Sequence, residues 1–417
     1  MRDRELGAVI EWLQAADVPA TVLRRARLLL LDTVGCAIAG AAEPEVRNLA
    51  AALPTGSIRM PGMPHALAPE AFATVFAAGA CWHEACEGLA VAHGRPGLHA
   101  IPAVLALALG HGATIGAVLD AMIAGYEVGG RLGAAWRIRP GMHVDGGWGA
   151  LAAAASAATL LRADVLAAVR HAACHMPVGL YWPIVHGSPA RNLYAGHGAV
   201  HGMGAAAAAK AGLGGPPGSL DEAARVVLGY GLPPLIPPGV WLLPDGYLKA
   251  FAAVKHVHYG AHAAAAWHAL GQDPDRIEAV TLRIYEEALT YCSNRAPVQP
   301  IQAQFSLTYG LVHALRHGDL TPAAYTGAAF ADHGTRRLEA LVRIEPLPGP
   351  TRRCELVVDG WSMQVARVPG DADWPLDEAA VAAKVRTYAG PVLGDGPVEA
   401  LIEHLLRDPP DARLTLA

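Results

Sequence analysis

Residues 141–161 read Gly-Met-His-Val-Asp-Gly-Gly-Trp-Gly-Ala-Leu-Ala-Ala-Ala-Ala-Ser-Ala-Ala-Thr-Leu-Leu. A glycine-rich loop that carries His143 runs into an alanine-rich segment, and this pattern predicts a helix closely packed among others. Backbone N–H groups at such a helix start favour a bound anion, for example a carboxylate. A histidine beside that anion can transfer a proton near neutral pH, so His143 is a candidate general acid or base. A capped turn with an incidental histidine is the alternative.

The bulk composition limits the class of protein. The chain has 417 residues, which indicates two domains or one large domain with an insertion. Hydrophobic residues, among which alanine is the most frequent, make up 53%, and charged residues only 17%, which favours a packed helical body. The net charge of −5, without basic blocks, argues against nucleic acid as a partner. Apolar stretches such as 101–125 are interrupted by polar residues and indicate buried helices, so we expect no membrane association.

Two features indicate a cytoplasmic location. Residues 1–5 open directly into a helical pattern and lack the apolar core of a signal peptide. The six cysteines are scattered without paired spacing, which is typical of reduced thiols in a cytoplasm.

Residues 1–272 are predicted to form one all-helical domain, because apolar residues recur at helical spacing along most of it. The clearest predicted helices are 23–31, 71–80, 101–110, 117–132 and 151–161. Glycine and proline separate these segments. Helices packed on helices form an all-α layer architecture.

The periodicity changes after residue 272. Alternating segments at 277–285, 341–344, 354–358 and 362–368 predict strands, with a turn at Asp359-Gly360, while 306–317 predicts a helix. We therefore expect an α+β lid domain over 273–372. Residues 373–417 are again helical and are expected to return to the helical domain. The predicted fold is mainly α, a large all-helical domain with a smaller α+β lid domain, and clefts between domains are frequent ligand sites.

Residues 83–87, His-Glu-Ala-Cys-Glu, place His83 and Glu87 four residues apart, on one face of a helix. The second histidine of a zinc-protease helix is absent. Cys86 is a candidate nucleophile or acid/base, and a small buried side chain is the alternative.

Arg191 lies in the segment 188–196, which leads into a second alanine-rich helix. Its guanidinium can bind a carboxylate through two hydrogen bonds, and a surface arginine is the alternative. His197 and His201 share a helical face without an obvious third ligand, so we predict no metal site.

Residues 249–259, Lys-Ala-Phe-Ala-Ala-Val-Lys-His-Val-His-Tyr, carry four basic or titratable side chains just before the predicted domain change. They are candidates for an interdomain cleft, and a solvated basic edge is the alternative. A lysine near a protonated histidine has a lowered pKa, which suits acid–base chemistry.

Several segments, taken in order, resemble the MmgE/PrpD family. They are Leu30–Gly40, Ile101–Ala108, Gly125–Arg131, the His143 loop and Gln302–Leu307. The family includes 2-methylcitrate dehydratases, cis-aconitate decarboxylases and iminodisuccinate epimerases. The resemblance implies an all-helical domain with an α+β lid, a homodimer, no metal or other cofactor, and a small polycarboxylate substrate.

The resemblance carries over residue by residue, with departures. His143 matches the histidine of a His-Pro-Thr-Gly-Thr-like loop, and Arg191 stands where many members have an active-site lysine. Guanidinium is a poor proton shuttle but a good carboxylate clamp. His83 matches the start of the family's His-x-x-Asp-x-Asp-Asp-Thr segment. In this segment Cys86 replaces the first aspartate, and a glycine and a leucine replace the Asp-Asp pair.

Other positions match further along the chain. His93 or His99 stands in for the histidine that follows the acidic segment. Lys249 matches a family lysine and His258 a family histidine, whereas Lys255 is an addition.

These observations predict a cofactor-independent lyase or isomerase that transfers a proton at a carbon next to a carboxylate or carbonyl of a small organic acid. The predicted catalytic residues are His143, Lys255, His258 and Cys86. The predicted substrate-binding residues are Arg191, His83, His93, Tyr194, Ser306 and Tyr309. Loss of acidic side chains is expected to make the pocket more apolar and the substrate less polar than methylcitrate. The alternative is a catalytically inactive relative that serves as a ligand-binding or scaffold protein.

Overall fold

The computed structural model describes residues 2–349 and 351–416. Over these residues the chain is mainly helical, with one four-stranded sheet in its C-terminal part, which confirms the predicted fold class. The α-helices are α1 (Arg2–Ala15), α2 (Ala20–Ala41), α3 (Pro44–Ala52), α4 (Pro69–Trp82), α5 (Pro96–His111), α6 (Ile115–Ala135), α7 (Gly149–Leu161), α8 (Val165–Cys174), α9 (Trp182–Val185), α10 (Tyr194–Lys210), α11 (Ser219–Leu228), α12 (Lys255–His268), α13 (Glu286–Tyr291), α14 (Pro300–Gln304), α15 (Leu307–His317), α16 (Gly327–Ala331), α17 (His333–Leu341), α18 (Glu378–Leu393) and α19 (Asp395–Arg407). The strands are β1 (Thr55–Ile58), β2 (Gly88–Leu89), β3 (Met142–His143), β4 (Gly179–Leu180), β5 (Gly246–Tyr247), β6 (Val280–Ile284), β7 (Val342–Pro346), β8 (Cys354–Val358) and β9 (Trp361–Val365).

Helix α7, the predicted alanine-rich helix, lies at the centre of the helical part. It packs against α5, α6, α8 and α10, and every residue from Gly149 to Ala158 is buried. Glycines of the neighbouring helices allow this close approach. A Cβ at Gly129 of α6 would lie 2.5 Å from that of Ala152, and one at Gly202 of α10 would lie 2.5 Å from that of Ala153. Small side chains therefore set the helix spacing, and any larger residue there meets a packed core.

The other predicted helices fall within α2, α4, α5 and α6. The expectation that His83 and Glu87 share a helix face is wrong, because α4 ends at Trp82. Glu84 has a φ of 53°, a left-handed conformation that cannot continue a right-handed helix. Residues 83–87 therefore form a loop that leads into β2.

The four predicted strands are confirmed in the C-terminal sheet, whose order is β7-β6-β8-β9. Strand β6 runs parallel to β7 and antiparallel to β8, and β8 and β9 form a hairpin. Its turn residues, Asp359 and Gly360, have φ values of 44° and 88°, as a tight hairpin turn requires. Alternate residues of β6 and β8 are buried. Helix α12 contacts both β8 and β9.

The domain division after residue 272 stays a prediction. Helix α12 lies before that point, yet it packs against α15, β8 and β9, which lie after it. In the tail, α18 and α19 both pack against α2 of the N-terminal part. In the described part of the chain, no helix combines the length and the hydropathy needed to cross a membrane.

Candidate active site

A cavity of about 490 Å³ lies between the helical part and the C-terminal segments. Its charged lining residues are Glu84, Arg95, Arg137, Asp145, Lys249, Lys255, Glu287 and Arg352, five cations against three carboxylates. Its apolar and aromatic lining residues include Leu89, Trp136, Ile138, Met142, Val144, Tyr181, Tyr247, Tyr291 and Phe305. The excess of cations favours an anionic ligand. The lining is therefore more strongly charged than the sequence led us to expect.

Two short antiparallel ribbons bring the walls of this cavity together. Gly88 of β2 pairs with Tyr247 of β5. This pairing places the loop 83–87, which precedes β2, beside the segment after β5 that contains Lys249. His143 of β3 pairs with Gly179 of β4. The second ribbon brings the His143 ring against that of Tyr181, with 6.0 Å between the ring centroids.

Glu84 lies at the centre of a buried cluster of charges. Its carboxylate pairs with Arg191, with Arg95 at 3.2 Å and with Lys249 at 2.7 Å. Lys249 Nζ also donates to the carbonyl oxygen of Glu84 at 2.7 Å. Although burial opposes ionisation, the three cations hold the pKa of the Glu84 carboxyl well below its usual range. Glu84 is therefore ionised at neutral pH and fixes the three cations around it.

Asp145 and His143 form the adjoining part of the cluster. Asp145 pairs with Arg95, and one of its carboxylate oxygens lies 3.8 Å from His143 Nδ1. Despite Asp145, burial and the nearby guanidinium groups lower the pKa of His143 to about 4. His143 is consequently neutral at pH 7.

The proton of the neutral His143 ring lies on Nε2. The backbone N–H of Asp145 donates to His143 Nδ1 at 3.1 Å, so Nδ1 carries the lone pair. No residue in the described ranges accepts a hydrogen bond from Nε2. His143 is thus a hydrogen-bond donor in the cavity wall, a state in which a neutral imidazole polarises a carbonyl. The Asp145 N–H is occupied by this hydrogen bond and is not free to bind an anion.

The backbone around the cavity is strained at two positions. Among the described residues, four non-glycine residues have a positive φ, and two of them, Glu84 and His93, line the cavity. The left-handed conformation costs a non-glycine residue roughly 1–2 kcal/mol. Such strain is concentrated at binding and catalytic sites, where the surrounding structure maintains it.

The first two residues of α12 supply further titratable groups to the cavity. Lys255 Nζ lies 2.5 Å from Asp371, and burial lowers its pKa even though Asp371 opposes the shift. The lowered pKa of Lys255 therefore comes first from burial and then from the cations Lys249 and Arg352, and not from a protonated histidine. His256 Nδ1 lies 2.6 Å from the Tyr285 hydroxyl, and burial lowers the pKa of His256 to about 3, so this ring is neutral at pH 7.

Three predicted site residues, His143, Lys255 and His93, line the cavity. His93 is exposed to solvent, as is the neighbouring cavity residue Arg137. Partial burial of the His93 ring lowers its pKa, and the positive charge of Arg137 lowers it further. The ion pair between Arg352 and Glu287, at 3.0 Å, completes the charged lining on the C-terminal side.

Arg191 and Cys86 lie behind the cavity wall. Arg191 is fully buried, and its guanidinium binds Glu84 and contacts Cys81 Sγ at 2.6 Å. It is therefore already paired and not free to clamp a substrate carboxylate. The Cys86 sulfur contacts Arg95 at 3.5 Å, and burial raises the pKa of its thiol to about 12, so it is a protonated, inaccessible side chain.

Tyr194 also supports the wall without lining it. Its hydroxyl donates to the Leu180 carbonyl at 3.0 Å, and its ring centroid lies 5.9 Å from that of His143. Tyr194 thus holds strand β4 beside the histidine.

The predicted residues His83 and His258 lie outside the cavity lining. His83 Nε2 lies 2.9 Å from Glu43 Oε1, which ties the loop to the start of α3. His258 is fully buried, and its Nε2 lies 3.1 Å from the Ala253 carbonyl oxygen. Burial holds the pKa of His258 well below its usual range, so this ring is neutral and inaccessible to a ligand.

The predicted lid contacts Ser306 and Tyr309 are both structural. Ser306 caps α15 by accepting the Tyr309 N–H, and its hydroxyl donates to the Asn294 carbonyl at 2.6 Å. The Tyr309 hydroxyl donates to the Ala324 carbonyl, inside the C-terminal core. Their neighbour Phe305 lines the cavity instead.

Among the lining residues absent from the predicted site are five buried titratable ones: Glu84, Arg95, Asp145, Lys249 and His256. Four of them lie within two residues of a predicted site position, and Lys249 begins the segment 249–259 that the sequence singled out for an interdomain cleft. The available signal was a charged residue surrounded by small and apolar neighbours, which requires a partner when it is buried.

The two histidines of α10, His197 and His201, do not belong to a group of metal ligands among the described residues. His201 Nε2 lies 3.1 Å from the Ala172 carbonyl oxygen, and its ring packs against His175. Within residues 2–349 and 351–416, no three His, Cys, Asp or Glu side chains are grouped to hold a metal ion.

Comparison with protein families gives two matches. The model of the MmgE/PrpD N-terminal domain matches residues 4–230, and that of the MmgE/PrpD C-terminal domain matches residues 251–408. Together they cover nearly the whole chain in the order expected from the sequence. No curated individual protein matches the chain.

Proposed function

Since the chain belongs to the MmgE/PrpD family, in which dehydratases and other lyases are typical, we propose that it is a cofactor-independent lyase or isomerase of small organic acids. The observation that carries the proposal is a cavity that combines an excess of cations with a neutral histidine and a lysine of lowered pKa. Perturbed titratable groups in one cavity are typical of proton-transfer sites.

Binding begins with the substrate carboxylate. Lys249 and Arg95 line the cavity, and both pair with Glu84, as does Arg191. Three cations thus surround the Glu84 carboxylate, which leaves this group with an excess of positive charge. The carboxylate adds the missing negative charge in a site of low dielectric. The aliphatic and aromatic side chains that share the lining favour a substrate with an apolar portion, less polar than methylcitrate.

The reaction starts with removal of a proton from the carbon next to the carboxylate or carbonyl. Lys255 is the base, because its lowered pKa increases the fraction of neutral amine. The electron pair of the broken C–H bond moves onto the neighbouring oxygen and forms an enolate. The Nε2–H of His143 donates to that oxygen and stabilises the developing charge.

The fate of the enolate distinguishes the reaction subtypes. Protonation on the opposite face inverts the carbon, which is epimerisation. In a dehydration the β-hydroxyl is expelled and leaves as water, after taking the proton that the Lys255 ammonium holds. In a decarboxylation the carbanion instead forms by loss of CO₂ and then takes up one proton from the enzyme.

The test is NMR of the purified protein in D₂O with 2-methylcitrate, cis-aconitate and iminodisuccinate, each beside the His143→Ala variant. We expect deuterium uptake or product formation that falls by roughly 10²–10³-fold in the variant, because one donor to the developing oxyanion is lost. His197→Ala is the matched control, because His197 is an exposed histidine outside the cavity lining.

The outcomes separate the alternatives. Turnover that is unchanged in His143→Ala removes this residue from the mechanism. Binding of an acid without turnover favours the ligand-binding alternative. Loss of turnover after dialysis against a chelator contradicts the cofactor-independent part of the proposal, and light scattering tests the homodimer that the family implies.

A further inference from the structure

Lys384, on α18 near the end of the chain, reaches the loop that carries Glu84. Its Nζ donates to the Ala85 carbonyl at 2.6 Å and to Asp32 Oδ1 at 2.6 Å. The exposed fractions of the Lys384 and Asp32 side chains are 8% and 0%. Residues from the two ends of the chain therefore meet beneath the candidate active site.

The position of Asp32 is unusual for a stabilising ion pair. It lies in the middle of α2, where every residue from Leu28 to Ala41 is buried. Removing two ions from water costs about as much as their attraction returns, so a buried pair adds little net stability. Stability alone therefore does not account for a charged pair in this apolar helix.

The contact with the loop provides another account. The carbonyl oxygens of Glu84 and Ala85 each accept a hydrogen bond from a buried ammonium group, Lys249 at 2.7 Å and Lys384 at 2.6 Å. Glu84 is the residue with the strained φ of 53°. Strained backbone persists only where surrounding contacts maintain it, and these two ammonium groups supply such contacts.

We propose that Lys384, anchored by Asp32, is a positioning residue that holds the 84–85 turn and thereby sets the Glu84 carboxylate among its three cations. Lys384 does not line the cavity and does not contact the substrate. Its effect on turnover rests on the proposed function, whereas its effect on the loop does not. The aspartate in the Leu30–Gly40 segment thus serves the active-site loop.

The direct test is hydrogen–deuterium exchange of the intact protein, followed by mass spectrometry of peptides that cover residues 83–90. In Lys384→Met we expect these amides to exchange roughly tenfold or more faster, because a charge-assisted hydrogen bond is lost. Peptides from α7 are the internal reference. The double variant Asp32→Asn with Lys384→Met removes the charge left on Asp32 and serves if the single variant fails to fold.

The matched control is Arg131→Met. Arg131 pairs with Glu127, both side chains are fully buried, and neither lines the cavity. We expect this variant to lose stability without faster exchange at residues 83–90. Unchanged exchange in both Lys384 variants, or equal acceleration in Arg131→Met, overturns the proposal.

Kinetics provide the second readout. For a substrate found in the NMR screen, Lys384→Met is expected to lower kcat by roughly tenfold or more while KM changes by less than about threefold, because Lys384 does not contact the substrate. Lys384→Arg, which keeps a cation, is expected to recover part of the loss. An unchanged kcat overturns the positioning role. If Lys384→Met speeds exchange in the loop but no acid is a substrate, the positioning of the loop by Lys384 is confirmed and the proposed function is refuted.

Discussion

Replacement of Glu84 by glutamine tests the buried charge cluster most directly. Glutamine keeps the size of the side chain and an oxygen that can accept from Lys249, but it loses the charge that faces Arg95, Arg191 and Lys249. These cations are almost completely buried, so water cannot replace the missing carboxylate. We therefore expect Glu84→Gln to lower the free energy of unfolding.

The size of the effect follows from the contacts. Removal of one partner from a buried ion pair costs about 3–5 kcal/mol. Asp145 still pairs with Arg95 and lies 3.9 Å from Arg191, so part of the charge stays compensated. We expect a loss near the lower end, about 3 kcal/mol, which is a large part of the roughly 5–15 kcal/mol typical of folded proteins.

The assay is urea unfolding at pH 7, monitored by circular dichroism, with Glu287→Gln as the control. The Glu287–Arg352 pair also lines the cavity, but its side chains are 40% and 33% exposed. Pairs exposed to that degree are worth about 1 kcal/mol or less. A loss below about 1 kcal/mol in Glu84→Gln, or equal losses in the two variants, refutes the inference that the Glu84 charge stabilises the three buried cations.

The pH dependence provides an independent check. The pKa of Glu84 in the folded protein lies well below the ordinary value of 4.5. Its stabilising contribution is therefore fully present above about pH 4.5 and is lost as the pH falls through the folded-state pKa. The stabilities of wild type and Glu84→Gln should converge as the pH is lowered below 4.5. A difference that grows with acidification contradicts this account.

Two further predictions concern single side chains. The pH profile of kcat/KM should show no limb for His143 at pH 6–7, because burial lowers the pKa of His143 to about 4 and the ring stays neutral there, and a limb for this residue at pH 6–7 contradicts the assignment. Tyr309→Phe removes a buried hydroxyl that donates to the Ala324 carbonyl, so we expect a stability loss of about 1 kcal/mol by urea unfolding with unchanged turnover. A tenfold loss of turnover in that variant restores Tyr309 as a ligand contact.

The fold class, the main helices and the four strands of the C-terminal sheet could be predicted, because these elements have local causes. The alanine-rich segment after Gly149 forms a helix and packs closely through small side chains wherever neighbouring glycines permit it. The alternating strand at 354–358 has the predicted bounds, since its period of two buries one face of a sheet. The error at residues 83–87 arose because helical spacing continues there while the backbone of Glu84 turns left-handed.

The candidate site depends on contacts between residues far apart in the chain. His143 could be identified from its own loop, but Glu84 meets Arg191 and Lys249 across more than one hundred residues, and Lys384 reaches the Glu84 loop from α18. Whether an ionisable side chain lines a cavity, pairs with an opposite charge or supports the wall depends on its burial and its partners. Those are properties of the packed chain, because the free energy of a charge depends on the dielectric and the ions around it, and no local sequence pattern specifies them.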